Sequence, residues 1–224
     1  MKIVSWNCNG KFREKFHKII DLDAEIYIIQ ECENPEKYID TDYCAFAQNY
    51  IWIGNNQNKG LAVFAKDSII LQRNDIFQSY CLRHFLPLRI NGDFDLLAIW
   101  ACEPYIEEYY IYQAINQQHY NSDTIIMGDF NSNAIWDKKH NSRTHSAVVS
   151  ELAEKGLVSA YHFTFDELHG EETQKTFYLY RHNDKGYHID YAFLSISRIK
   201  SFNIDQDNKW LNFSDHKPII LEIK

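Results

Sequence analysis

Apolar runs that stop at a polar tip constrain this chain more than any other feature. Ile26-Tyr27-Ile28-Ile29 ends at Gln30-Glu31, Thr124-Ile125-Ile126-Met127 ends at Gly128-Asp129, and Ile3-Val4-Ser5-Trp6 ends at Asn7. A strand with one wet face alternates apolar and polar residues, whereas an unbroken run belongs to a strand covered on both faces. The expected class is therefore α/β, with polar side chains presented just past buried strands.

Other segments fit that class. Phe12 to Leu22 reads as a helix with Phe12, Phe16, Ile19 and Ile20 on one face, and Ile106 to His119 as a second, rich in Tyr and Gln. A third runs from about His145 to Lys155 and stops at Gly156. Ile51–Ile53 with Leu61–Ala65, and Phe85–Ile90 with Phe94–Trp100, read as strand pairs, the latter joined by Asn91-Gly92-Asp93, a tight-turn signal. Tyr191–Leu194 and Pro218–Ile223 complete the strands. One weak regularity recurs: an acceptor, a spacer and an Asn follow an apolar run at Asn7-Cys8-Asn9 and again at Asp129-Phe130-Asn131.

Apolar residues make up 45% of the chain and aromatics 15%, enough to bury a large core and to exclude disorder. With no break in composition, one domain over 1–224 is expected. The net charge of −8 excludes a binder that relies on overall basicity, yet a bound cation can supply positive charge locally. The five cysteines form no CxxC pair and no zinc spacing, as in a reducing cytosol. The N-terminus lacks a secretory apolar stretch, and no segment reaches the roughly 18 apolar residues of a membrane span. A soluble cytoplasmic protein is expected, and its oligomeric state is not legible.

The tip residues suit hydrolysis of a phosphate ester. A hard cation such as Mg²⁺, or Mn²⁺, prefers oxygen ligands and keeps several waters, so a few carboxylates hold it. Glu31 is the expected anchor, with Asn7 a neutral oxygen ligand and Asp215 a second charge. Asp129 would orient or deprotonate the attacking water, with Asn131 holding a phosphate oxygen or Asp129 itself. His216 would contact the phosphate and, when charged, stabilise the transition state, with Asp190 fixing its tautomer.

Trp6-Asn7, Gln30-Glu31, Gly128-Asp129-Phe130-Asn131, His188-Ile189-Asp190-Tyr191 and Ser214-Asp215-His216 occur in this order over nearly the whole length. Together they resemble the endonuclease/exonuclease/phosphatase superfamily, the group containing deoxyribonuclease I, exonuclease III and inositol polyphosphate 5-phosphatases. The resemblance implies a four-layered α/β sandwich, two mixed β-sheets packed face to face with helices outside, and Mg²⁺ or Mn²⁺ dependence. It places Asn7 and Glu31 at metal-binding positions, Asp129 and Asn131 at the nucleophile-activating pair, Asp190 at the histidine orienter, and Asp215 and His216 in the terminal motif.

The sequence departs from the pattern before the Ile106 helix. Relatives of exonuclease III carry a Tyr two residues before a Pro, then an Asn; Cys102, Glu103, Pro104 and Tyr105 stand here, and the phosphate-contacting His of deoxyribonuclease I-like members is missing. Abasic-site specificity is thus disfavoured, and Trp100 or Tyr105 is the candidate substitute. Lys138, Lys139, His140, Arg143 and His145 form a basic segment after the Asp129 tip, from which Arg143 and His145 are expected to meet substrate, while His188 and Tyr109, Tyr110 and Tyr112 read as packing. The expected function is a divalent-metal phosphodiester hydrolase acting on nucleic acid, DNA favoured. The alternative is a phosphatase or phosphodiesterase for a small inositol phosphate, lipid headgroup or nucleotide. An inactive scaffold loses ground because no predicted ligand acid is replaced by an inert residue.

Overall fold

The computed structural model describes residues 1–224. Its strands, in chain order, are β1 Lys2–Asn7, β2 Ile26–Cys32, β3 Tyr50–Asn56, β4 Lys59–Ala65, β5 Leu71–Arg73, β6 Phe85–Ile90, β7 Phe94–Trp100, β8 Thr124–Asp129, β9 Val158–Ser159, β10 Phe177–Tyr178, β11 Gly186–Tyr187, β12 Asp190–Leu194, β13 Ile199–Ile204 and β14 Ile219–Ile223. The α-helices are α1 Phe16–Ile20, α2 Thr41–Phe46, α3 Ile106–Asn116, α4 His145–Glu154 and α5 Ala160–Phe165. Two six-stranded mixed sheets result, ordered β13-β14-β1-β2-β4-β3 and β5-β6-β7-β8-β12-β9.

The period of two along each buried run explains the layering. Ile3, Ile26, Ile28, Leu61 and Val63 of the first sheet meet Leu96, Ala98, Ile125, Met127 and Ala192 of the second in one core between the sheets. The intervening residues face outward. Leu97, Ile99, Ile126 and Phe193 pack under Tyr109 and Tyr112 of α3 and Val148 and Leu152 of α4. Val4, Ile29, Ala62 and Phe64 pack under Phe12, Ile19 and Tyr43. Each such aliphatic or aromatic side chain contributes about 1.5–3 kcal/mol on burial, and with both faces of every central strand covered the layers cannot slip without exposing one of them. The four-layered sandwich expected from the sequence is thus the observed fold.

The same alternation sets the position of the site. Ile3, Ser5 and Asn7 share the inter-sheet face of β1, as do Ile26, Ile28 and Gln30 on β2, Ile125, Met127 and Asp129 on β8, and Asp190, Ala192 and Leu194 on β12. At one end of the sandwich this face turns from apolar to polar. Gln30, wholly buried, bridges the sheets there, donating from Nε2 to Ser5 Oγ at 2.9 Å and to the Ile99 carbonyl at 3.2 Å.

Several boundaries differ from expectation. The helix expected over Phe12–Leu22 is a 3₁₀ turn, Phe12–Glu14, followed by the short α1, because the Phe12 and Arg13 backbone N–H groups go to the buried Glu33 carboxylate and the chain breaks at Lys15. Ile20 is accordingly exposed. The Phe85–Ile90 and Phe94–Trp100 pair has the expected bounds, with Asn91 and Gly92 both at positive φ and Asp93 N–H closing the turn on Ile90 O. Strands β5, β9, β10, β11 and β13 and helices α2 and α5 have no counterpart in the sequence reading. No helix is long and apolar enough to cross a membrane.

Candidate active site

Gly128 lets β8 deliver Asp129. Its φ is +151°, and a Cβ there would lie 2.0 Å from the Ile99 carbonyl oxygen of parallel β7, so only glycine fits. One residue later Asp129 is wholly buried, opposite Asp190 in register on antiparallel β12. Three N–H groups fix its carboxylate: Asn131 N–H to Oδ1 at 2.8 Å, and Asn131 Nδ2 and Asn7 Nδ2 to Oδ2, each at 3.0 Å. Asn131 takes a left-handed backbone, φ 46°, to bring both donors back onto Asp129.

A second bend delivers Glu31. A β-bulge interrupts the β2–β4 ladder between Gln30 and Cys32, and Glu31 sits within it at φ 62°. Glu31 Oε1 lies 3.4 Å from Asn7 Nδ2, the nitrogen that also donates to Asp129, so acids from the two sheets converge on one amide. Glu31 Oε2 pairs with Lys59 Nζ at 2.6 Å. Lys59 also lies over the Trp100 ring, 5.8 Å from its centroid.

The segment between Asn208 and β14 brings the last members. Ser214 Oγ donates to Asn7 O at 2.6 Å and accepts from His216 N–H at 3.0 Å, while Trp6 Nε1 donates to His216 O. His216 Nδ1 is 2.9 Å from Asp190 Oδ2, and its Nε2 is 4.0 Å from Asp129 Oδ2. Burial pulls His216 toward the neutral form, but Asp190 and Asp129 outweigh it and raise its pKa to about 10, so the ring is an imidazolium at neutral pH. Burial, reinforced by Asp190, raises Asp129 to about 7, against the opposing pull of His216 and its hydrogen bonds. Asp215 is half-buried at the rim and accepts from Asn9 Nδ2 at 2.7 Å.

The structure thus brings Asn7, Glu31, Asp129, Asn131, Asp190 and His216 into one constellation, with Asp215 tied to it through Asn9 and Ser214. Tyr105 lines a cleft of about 270 Å³ together with Asn131, Trp136, Lys139, His140, Phe177 and Ile189. Trp100 is 8% exposed and packs on His84, ring centroids 4.6 Å apart. Arg143 is exposed, on the α3 side near Tyr110. His145 does not reach the rim: it is 1% exposed, and its ring nitrogens face Ser132 Oγ and His169 Nδ1, because it opens α4 on that helix's buried side.

Residues the sequence reading missed are Lys59, His84, Trp136 and Phe177. The Cys32–Gly60 register of the β2–β4 pair places Lys59 beside Glu31, a relation visible in sequence only once that hairpin is paired correctly. His84 precedes β6, and its Nδ1 is 3.3 Å from Cys102 Sγ, where the sequence lacks the tyrosine of exonuclease III relatives. Burial lowers the His84 pKa to about 4, leaving a neutral ring.

The donor set suits a hard divalent cation. Glu31 and Asp129 present oxygen donors, and two acids converging on Asn7 Nδ2, whose Oδ1 is taken by Asn9 N–H, form a negative pocket only partly offset by Lys59 and His216. Residues 4–216 match the family described as "Endonuclease/Exonuclease/phosphatase family". A 3'-5' exonuclease, NExo, from Neisseria meningitidis superposes with a TM-score of 0.73 at 16% identity, covering 100% of both chains. An AP endonuclease from Archaeoglobus fulgidus gives 0.72 at 17% identity, covering 100% of this chain and 99% of that one. The endonuclease domain of TRAS1, a telomere-specific non-LTR retrotransposon, gives 0.66 at 18%, covering 100% and 98%. No curated protein matches the chain in sequence.

Proposed function

The chain belongs to the endonuclease/exonuclease/phosphatase family, and from that premise we propose that it is a divalent-metal-dependent phosphodiester hydrolase acting on nucleic acid, DNA foremost. The observation that carries this reading is the junction at Asn7 Nδ2, which ties Asp129 to Glu31 beside the His216–Asp190 ion pair. Glu31, with Asp215 at the rim and Asn7 once its amide turns Oδ1 toward Glu31, would hold Mg²⁺ or Mn²⁺, which when bound neutralises a phosphate oxygen and favours departure of the alkoxide.

The chain's own groups supply the rest. Asp129, its two oxygens fixed by three donors, is the base that accepts the proton of the attacking water. His216 Nε2 is too far from Asp129 for a direct hydrogen bond, which leaves its N–H to donate to a phosphate oxygen of the substrate. The imidazolium then stabilises charge growing on the phosphate, and Asp190 holds it in place through Nδ1.

The cleft beside Asn131 favours a nucleic acid over a small polyphosphate. Tyr105, Trp136 and Phe177 offer planar faces for a base or sugar, and only Lys139 and His140 add basic groups. A pocket for a small polyphosphate would carry more cations. One solved relative points the same way: NExo is a 3'-5' exonuclease, and a second structure of it, described as a 3' phosphatase, is bound to a product DNA hairpin. The test is incubation with plasmid, single-stranded DNA, RNA and inositol phosphates, with Mg²⁺, Mn²⁺ or EDTA. Metal-dependent cleavage of DNA is the expected result; turnover of inositol phosphates alone would overturn it.

A further inference from the structure

The β10–β11 hairpin is tied to the segment that carries His216. Tyr178 N–H donates to Asp215 O at 2.8 Å, Lys217 N–H donates to Thr176 O at 2.7 Å, and the Phe177 and His216 rings lie 4.9 Å apart. Leu179 N–H on Lys185 O and Lys185 N–H on His182 O, each at 3.0 Å, close the tip. Tyr180 and Arg181 are both left-handed there, with φ of 55° and 60°, a conformation that bulky side chains seldom adopt.

Burial separates two tyrosines of this hairpin. Tyr178, in the stem, is 7% exposed and has the Lys217 ammonium 4.7 Å from its ring centroid, whereas Tyr180 is 78% exposed. A strained turn that leaves a large ring in water adds nothing to the core. Strain of this kind persists where a ligand is met.

A second feature adjoins the tip. Three cations from three segments gather at Asn212 and Phe213: Arg181 Nη1 donates to Asn212 O at 3.4 Å, Lys15 Nζ donates to Phe213 O at 2.6 Å, and Lys18 Nζ lies 5.3 Å from the Phe213 ring centroid. Burial lowers the Lys15 pKa, and Arg181 is near enough to add to that effect. None of the three is ion-paired, although acids outnumber Lys and Arg by 31 to 23 in the chain. Cations left unpaired on an acidic protein, next to an exposed aromatic ring, match the alternation of phosphate and base along a nucleic-acid strand.

We propose that the hairpin tip and the Lys15, Lys18 and Arg181 patch hold DNA on the His216 side of the cleaved phosphate, with Tyr180 stacking on a base and Arg181 and Lys18 meeting backbone phosphates. This rests on the reading of the chain as a nucleic-acid hydrolase and adds to it a surface outside the cleft. Phe177 belongs to both the cleft and the hairpin stem, so the two surfaces are continuous. The stem's hydrogen bonds to the Asp215–Lys217 segment keep DNA at the tip in register with the imidazolium.

The test uses the full-length protein carrying Asp129→Ala, which is expected to bind DNA without cutting it, and short duplexes of one sequence, each with 2-aminopurine at a single position. Binding should change the fluorescence at one position, and adding Tyr180→Ala should abolish that change while Tyr180→Phe, which keeps the ring, preserves it. By anisotropy, Tyr180→Ala should raise the Kd about 5- to 150-fold, the loss of one base–aromatic stack. Arg181→Met should lower the slope of log Kd against log salt concentration by about one. Because both side chains are exposed, the far-UV spectrum should be unchanged in every variant. Parental affinity in Tyr180→Ala, equal weakening by Tyr180→Phe, or an unchanged salt slope in Arg181→Met would each overturn the proposal. Wild-type cleavage of DNA with any of these results would defeat this inference alone, whereas a parent protein that binds no DNA would defeat the hydrolase reading with it.

Discussion

Asp129 and Asp190 are register partners on adjacent antiparallel strands, and a single imidazole, His216, stands 2.9 Å from one carboxylate and 4.0 Å from the other. A cation shared between two buried acids is stable only while it keeps its proton. Protonation of this site is therefore coupled to folding and, in the proposed hydrolysis, to catalysis.

The pH dependence follows from that coupling. The His216 pKa in the folded chain, about 10, exceeds the ordinary value near 6.5. Its stabilisation is complete below about pH 6.5 and is lost as pH rises through about 10. Asp190→Asn removes the largest cause that raises it, so the alkaline limb of kcat/KM should move at least about one unit toward acid. The acid limb, set by Asp129 near 7, should move to lower pH as Mg²⁺ is increased, because a nearby cation favours the carboxylate. A pH–rate series at two metal concentrations checks both shifts.

Glu31 and Lys59 should oppose one another in metal affinity. Their 2.6 Å pair leaves Lys59 in competition with a bound cation. Glu31→Gln should raise the Mg²⁺ concentration for half-maximal activity at least about tenfold, which is about 1.4 kcal/mol, and Lys59→Met should lower it. Magnesium titration of initial rates distinguishes the two directions.

Trp136 should serve substrate recognition without serving the bond-breaking step. If its face stacks on a base or sugar in the cleft, Trp136→Ala loses about 1–3 kcal/mol of binding, or roughly 5- to 150-fold in KM for DNA. An aryl phosphodiester too small to reach the cleft should be hydrolysed at an unchanged rate. Parallel kinetics on both substrates provide the comparison.

Gly128→Ala tests the close approach of β7 and β8. The added methyl would collide with the Ile99 backbone at a φ that L-residues avoid, so a loss of at least about 2 kcal/mol is expected from denaturant unfolding. Wild-type stability in that variant would mean that the strands separate at no cost.

Much of this arrangement was legible in the sequence because it follows from alternation. Once Ile125 and Met127 are assigned to the inter-sheet core, Asp129 must continue on their face, and the same count carries Ile3 to Asn7 and Ala192 back to Asp190. The repeated tip also has a physical counterpart: Asn9 N–H bonds to Asn7 Oδ1 at 3.0 Å as Asn131 N–H bonds to Asp129 Oδ1 at 2.8 Å, both on strands flanked by one parallel and one antiparallel neighbour. What local pattern cannot carry is long-range geometry. Glu31 reaches the site through a bulge, Lys59 through hairpin register, and His145 turns inward because α4 docks that face on the sheet.

The most direct test of the whole account is single-turnover hydrolysis of DNA by Asp129→Ala beside the wild type, with saturating Mg²⁺. A base fixed by three donors and paired across from His216 should cost at least about 10³ in rate when removed, with the far-UV spectrum unchanged. A folded variant that cuts DNA within about tenfold of wild type would contradict the role given to Asp129, and with it the constellation built around it.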